Sequence, residues 1–323
     1  MFNSFKLLVL VALGAGAWYL LSNYRIQGWE NVKFQPRSPS ATAASGQPSS
    51  SPGSQTGRKT IRIATANFGP VDAVKLGKPL VASRLAQILR QCDLWALQDL
   101  QDRDQGVLVQ LVEAVNAQGR HYDFATSPEV GRDPVRQYSA FVFDADTIQV
   151  DRSTVAVVDD PRGQFSHPPL VGAFRARGAA ENEAFTFTLI NVHTPADRAA
   201  QELDLLAGVY RAVGRGSRNE DDVMLLGELG VDEAHLGQLA RLPNVTCAVS
   251  GLPTTTRGSR QLDNLLFDRR ATSEFVHRSG VIDLMRELNL VQREAAEVSE
   301  HLPVWAEFSV YEGGQAGHVG KSP

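Results

Sequence analysis

Seven side chains that could do chemistry stand where short apolar segments of this sequence run out: Asn67, Asp99, His193, Glu228, Asp263, Glu300 and His301. Carboxylates and an amide are the donor types that a hard cation takes. Imidazoles are the commonest acid–base groups near neutral pH. Taken singly, each residue has an ordinary reading: Asn67 as a turn or cap residue, Asp99 as an N-cap, Glu228 as a solvated loop acid. Their joint placement at strand ends is what points to a site, because α/β sites assemble on one rim of a sheet.

The elements that must position these residues can be read from the apolar pattern. Ile61-Arg62-Ile63-Ala64-Thr65 alternates as a half-buried strand does, and Phe185 to Val192 (FTFTLINV) does so more clearly. Further strands are expected over 93–98, 138–143, 147–158, 170–175, 222–226, 262–267 and 304–310. Helical spacing predicts helices over 80–90, 105–118 and 199–213, with a short one over 232–239. Strands alternating with helices indicate an α/β architecture. No repeat of solenoid or propeller length is visible.

Composition limits the rest. The chain has 323 residues, 36 acidic and 32 basic, with a formal charge of −4, which argues against a histone-like DNA coat. Two cysteines, Cys92 and Cys247, leave no CxxC motif; both sit among apolar neighbours and are expected to be buried thiols. The 18 uncharged residues Leu7 to Tyr24 would span about 27 Å as a helix, enough for a bilayer core. A membrane anchor, a cleaved signal peptide ending near Ala15-Gly16-Ala17, and a core helix are the three readings of this segment. The first would tether an exported domain to a membrane, and the second would leave it secreted. In 36–57, 14 of 22 residues are Ser, Pro or Gly, a tether composition. A second tail is expected from Gly313, leaving 58–312 as one domain, expected to be a monomer.

In chain order the sequence offers IRIATAN, DLWALQD, QYSAFVF, INVHTPAD, VMLLGELGVD, QLDNLLF and SEHLPVWAEF. This series resembles the endonuclease/exonuclease/phosphatase superfamily, the DNase I-like metal-dependent phosphodiesterases, from about Ile61 to Val310. The resemblance implies an α/β (α+β) four-layered sandwich, two packed β-sheets flanked by helices. It also implies hydrolysis of a phosphate ester, nucleic acid among the possible substrates, with Mg²⁺ or Mn²⁺ as cofactor. Asn67, Asp99 and Glu300 would be metal ligands, and His193, His301, Asp263 and Glu228 catalytic. His193 would donate to a phosphate oxygen or act as acid or base, and Asp263 would orient His301. Arg136, Arg257 and Arg260 are candidate phosphate contacts.

Several positions depart from the superfamily pattern. Its QE block reads Gln98-Asp99 here, its GDxN block reads Gly227-Glu228-Leu229-Gly230, and its SDH block reads Ser299-Glu300-His301. Each carboxylate swap moves oxygens by about one bond length, while Gly230 deletes an amide that would hold water. Mg²⁺ is intolerant of such displacement. Arg136 stands where an acid usually pairs with His193 and is expected to lower the pKa of that histidine. A family REP stretch reads His167-Pro168-Pro169. Two functional expectations follow: a working phosphodiesterase with a retuned site, or an impaired relative that binds a phosphate ligand or a protein at the membrane. Restoring Asp at 228 and Asn at 230 is the substitution pair that would separate them.

Overall fold

Strand parity decides which way each side chain faces, and here it aims the apolar residues of two sheets at each other. The structure is a computed structural model that describes residues 59–102, 106–128, 137–216 and 220–316. The anchor, tether and tail expectations for 1–58 and 317–323, and the phosphate contact expected of Arg136, lie outside the described residues. Among the described residues no helix is long and apolar enough to cross a membrane.

In chain order the first six strands are β1 (Thr60–Val71), β2 (Leu94–Leu100), β3 (Tyr122–Thr126), β4 (Tyr138–Asp144), β5 (Ile148–Val157) and β6 (Leu170–Ala176). The remainder are β7 (Thr186–His193), β8 (Val223–Glu228), β9 (Val245–Cys247), β10 (Asp263–Asp268), β11 (Phe275–Val281) and β12 (Val304–Ser309). The helices are α1 (Ala73–Leu76), α2 (Pro79–Leu89), α3 (Gly106–Asn116), α4 (Ala199–Gly214), α5 (Leu284–Leu288) and α6 (Gln292–Val298). One six-stranded sheet has the order β11-β12-β1-β2-β4-β3 and the other β5-β6-β7-β8-β10-β9. Within each sheet one pair is parallel, β1 with β2 and β7 with β8; the other pairs are antiparallel.

Between the sheets lies one apolar layer. Ile61 and Ile63 of β1, Leu94 and Ala96 of β2, Phe187 and Leu189 of β7, Met224 and Leu226 of β8, and Leu265 and Phe267 of β10 all point into it. Aromatic rings fill its centre: Phe187 stacks on Phe185 at 4.8 Å and on Phe174 at 5.8 Å, and Phe308 lies 5.8 Å from Phe267. The alternate residues face outward to the helices. Ala64, Trp95 and Leu97 join the apolar faces of α2, α3 and α6, while Ile190, Val192 and Leu225 pack under α4. The result is helices, sheet, sheet, helix, the four-layered α/β sandwich expected from the sequence.

Most expected elements are present within a residue or two. The stretch over 232–239 differs: it forms two single 3₁₀ turns, Glu233–His235 and Leu239–Arg241. Between them Gly237 adopts φ +57°, a left-handed step that no right-handed helix can continue through. The strand β11 was not expected, because FVHRSGV is polar and partly exposed and carries no apolar alternation. Both cysteines are free thiols; Cys92 is buried as expected, whereas Cys247 on β9 is only half-buried. Gly313, expected to open a loose tail, is pinned, its amide donating to Glu274 at 2.6 Å.

Because Phe187 is fully buried between two other rings, Phe187→Ala should cost about 3–5 kcal/mol. Chemical denaturation measures it, and a loss below about 1 kcal/mol would mean that the two sheets do not share this core.

Candidate active site

The same parity that fills the inner layer carries polar residues to its rim. On β1, Asn67 shares the inward face of Ile61 and Ile63; on β2, Gln98 shares that of Leu94 and Ala96. His193 follows Phe187 and Leu189, Glu228 follows Met224 and Leu226, and Asp263 precedes Leu265. Register then sets them side by side. Glu228 is the direct partner of His193 across the parallel β7–β8 pair and of Asp263 across the antiparallel β8–β10 pair. Asn67 pairs with Gln98 in the facing sheet. Five of the seven expected residues (Asn67, His193, Glu228, Asp263 and His301) are thereby connected, directly or through one neighbour.

A buried polar floor joins the sheets beneath them. Gln98 Nε2 donates to Asn191 Oδ1 at 2.7 Å and to Thr65 Oγ1 at 3.0 Å. Asn191 Nδ2 in turn donates to the carbonyls of Leu97 and Ala140. Above the floor, Asn67 Nδ2 donates to Glu228 Oε2 at 2.6 Å, and His193 Nε2 lies 3.4 Å from the same oxygen. His301 Nδ1 meets Asp263 Oδ2 at 2.9 Å, and Thr254 Oγ1 donates to that oxygen at 2.9 Å. Ser299 ties the last block to the first, its hydroxyl donating to the Asn67 carbonyl while accepting from the His301 amide.

Electrostatics separate the two histidines. Burial lowers the pKa of His193 to about 3, and the charges of His167 and His301 add to the effect. Burial alone would lower His301 as well, but the hydrogen bond and charge of Asp263, with Glu228 and Glu300, push it up to about 9. At pH 7 His193 is therefore neutral and His301 cationic. Burial raises Glu228 to about 7; His301 and the Asn67 hydrogen bond pull it down, while Asp263 and Asp99 push it up. The low pKa of His193 comes from burial and two neighbouring histidines, while the effect expected of Arg136 lies outside the described residues.

Two side chains that the sequence did not single out as functional complete the His193 environment. The Gln137 amide faces His193 Nδ1 at 3.3 Å and packs against the nitrogen edge of His167, whose ring stacks on His193 at 4.5 Å. Donation from Gln137 to Nδ1 leaves the proton of neutral His193 on Nε2, facing Glu228. A third unexpected residue is Lys75, reached from α1. Its ammonium donates to the Phe68 carbonyl; burial lowers its pKa to about 8, against the charges of Asp99, Asp72 and Glu300. A lone lysine outside any apolar pattern carries no sequence signal of this kind.

Asp99 occupies a β-bulge. Pairing shifts register beside it on both flanking strands, and Asp99 itself adopts φ +57°. Bulges re-aim a side chain next to active sites, and Asp tolerates this conformation better than most residues. One Asp99 oxygen accepts from Gln101 at 2.7 Å, and burial lifts the carboxyl above its ordinary range. Glu300 is exposed, and its charge acts on both His301 and Lys75. Arg257 and Arg260 are exposed on the loop between β9 and β10. Arg260 lines a groove of about 490 Å³ with Gly230, Glu233, His235 and Gln261, beside Leu262 and so next to Asp263.

No family model matches the chain. Deoxyribonuclease-1-like 2 of Mus musculus is 27% identical over 267 residues, covering 79% of this chain and 94% of its own. Deoxyribonuclease gamma of Rattus norvegicus is 24% identical over 267 residues, covering 77% and 84%. A solved endonuclease/exonuclease/phosphatase family protein from Bacteroides thetaiotaomicron superposes with a TM-score of 0.50 at 15% identity, over 80% of this chain and 98% of that one. In sequence the chain is similar to deoxyribonuclease-1-like proteins, and in fold to endonuclease/exonuclease/phosphatase family proteins. Humanized D. rerio TDP2 shares the fold with a TM-score of 0.55 at 12% identity, over 77% of this chain and 98% of that one. Members of this superfamily depend on a divalent metal. The donors present here fit one by chemistry, since Asp99, Glu300 and the Asn67 amide offer oxygen only, and Mg²⁺ commonly takes one or two carboxylates plus water and substrate oxygens.

Gly230 explains itself in the structure. At φ +71° a Cβ there would lie 2.8 Å from the Thr194 carbonyl and 2.9 Å from Ala196 Cα. The asparagine that the superfamily pattern would place at 230 therefore meets backbone, and the position cannot simply be restored. Gly230→Asn should destabilise the protein by about 2–4 kcal/mol without raising activity. Thermal unfolding beside a hydrolysis assay checks this; a stable, more active variant would contradict it.

Proposed function

We propose that this protein is a metal-dependent phosphodiesterase that hydrolyses nucleic acid, with Glu228 and His301 as its base and acid. The reading is carried by one observation: Glu228 stands between a neutral histidine and a cationic one, with Asn67 donating to its carboxylate. Nucleic acid as substrate class is supported by the names of the deoxyribonuclease relatives and by Arg260 in the groove beside Asp263.

In this mechanism the ionised Glu228 carboxylate takes a proton from the attacking water as its oxygen bonds to phosphorus. Asn67 holds that carboxylate in place through the 2.6 Å hydrogen bond. His193, neutral with its proton on Nε2, donates to a phosphoryl oxygen. His301 keeps Nδ1 on Asp263, so its Nε2–H is free to protonate the departing ester oxygen as the phosphorus–oxygen bond breaks. Asp99, Glu300 and Asn67 would hold a divalent cation, which when bound would supply charge stabilisation on the phosphoryl oxygens. Lys75 lowers the net negative charge beside Asp99 and Glu300, which would weaken Mg²⁺ or Mn²⁺ binding there relative to an unpaired acid pair.

A silent binding module is the weaker reading, since it has no use for a buried aspartate that holds a histidine cationic. On the sequence of Leu7 to Tyr24 alone, we further propose that the domain is tethered to a membrane through an N-terminal helix.

Plasmid DNA and bis(p-nitrophenyl) phosphate, with Mg²⁺ or Mn²⁺, test the activity. His301→Ala and His193→Ala should each lower kcat by about 10²–10⁴. Because Glu228 must be ionised and His301 protonated, kcat/KM should rise with pH through about 7 and fall through about 9. Glu228→Gln should abolish the rising limb along with most of the activity. Equal rates in wild type and both histidine variants, or no hydrolysis by any of them, would sink the proposal.

A further inference from the structure

At the opposite end of the sandwich a second group of acids has no role in the site just described. Asp222 immediately precedes β8, the strand whose other end carries Glu228, so about 20 Å separates them. Glu274 immediately precedes β11, and Glu312 follows β12. One carboxylate oxygen from each lies within 4.8 Å of the other two, and Asp222 and Glu274 are each 1% exposed. The group therefore bridges the two sheets, with β8 from one and β11 and β12 from the other.

Three features make this more than an acidic patch. First, Asp222 Oδ1 and Glu274 Oε2 are buried without a hydrogen-bond partner among the described residues. Second, the Thr272 hydroxyl, 1% exposed, is turned towards the Asp222 carboxylate and lowers its pKa by hydrogen bonding. Third, after burial the charges acting most strongly on Asp222 among the described residues are those of Glu274, Glu220 and Glu312, all acids. Buried anions are costly unless paired or bound to a metal. Meanwhile the remaining oxygens are held in place: Glu312 Oε2 accepts from the Thr186 amide at 3.1 Å and Glu274 Oε1 from the Gly313 amide at 2.6 Å.

We infer that Asp222, Glu274 and Glu312, with the Thr272 hydroxyl, form a structural divalent-cation site, best matched to Ca²⁺, that clips the two sheets together. The donors are all oxygen, the set of a hard cation. Ca²⁺ holds its ligands at 2.3–2.6 Å, so opposed oxygens can stand about 4.6–5.2 Å apart; Mg²⁺, at 2.0–2.1 Å, needs them within about 4.2 Å. Oxygens that all lie within 4.8 Å of one another fall inside the span that Ca²⁺ bridges. This site is separate from the candidate active site and does not depend on the proposed reaction.

The test is the melting temperature of the full chain, stripped with EDTA and then titrated with CaCl₂ or, in a parallel arm, MgCl₂. Calcium at about 100 times its dissociation constant should raise Tm by roughly 5–10 °C, and magnesium by less. Glu274→Gln should lose the rise, whereas the double variant Asp99→Asn/Glu300→Gln, altered only at the other end, should keep it. A melting temperature unchanged by either cation overturns the inference, as does a rise that survives Glu274→Gln. Should Glu274→Gln fail to fold, equilibrium dialysis of the Asp99→Asn/Glu300→Gln protein decides: one calcium per chain supports the site, and none overturns it.

Discussion

The charge state of the whole polar rim depends on one buried carboxylate. Asp263 is 1% exposed, and a carboxylate buried this deeply is costly unless an opposite charge lies close to it. His301 does so at 2.9 Å, while Thr254 satisfies the same oxygen. The cation fixed there then bears on its neighbours, depressing the pKa of His193 further and lowering that of Glu228 against its burial. A neutral donor, a cationic donor and an acid near pH 7 thus arise from one ion pair.

Backbone packing delivers that pair to its place. β8 must run close against β7 for Glu228 to stand beside His193, and Gly227 permits it. At φ +149° a Cβ on residue 227 would fall 1.9 Å from the Val192 carbonyl oxygen, a contact no side chain survives. Gly230 repeats the device one turn later against Thr194 and Ala196. What looked from sequence like the loss of a polar group is, in the fold, a tight crossing of the loop after β8 over the loop after β7. The departures from the superfamily pattern therefore differ in kind. Gly230 is imposed by packing, Asp99 is re-aimed by a bulge, and Glu228 uses its extra length between two strands.

Much of this was legible in advance because parity is simple. FTFTLINVH already places His193 on the face of Phe187 and Leu189, and VMLLGE places Glu228 with Met224 and Leu226. The residues left unread lack any such signal. Gln137 and His167 meet His193 from separate loops, and Lys75 arrives from a one-turn helix; only tertiary packing brings them in. Asp222, Glu274 and Glu312 sit just outside strand ends at the far rim, where sequence shows ordinary solvated acids. Their burial comes from the sheets closing over them. The 3₁₀ turns around Gly237 show the converse, where one left-handed residue overrides helical spacing.

The central claim, that Asp263 splits the two histidines into a cation and a neutral donor, is tested most directly by NMR titration of the ring signals of His193 and His301. The account predicts that His301 remains protonated through neutral pH and titrates near 9, while His193 stays neutral down to about pH 4. Asp263→Asn should bring His301 down to the ordinary histidine range or below. Two histidines titrating together near 6.5 in the wild type would contradict it.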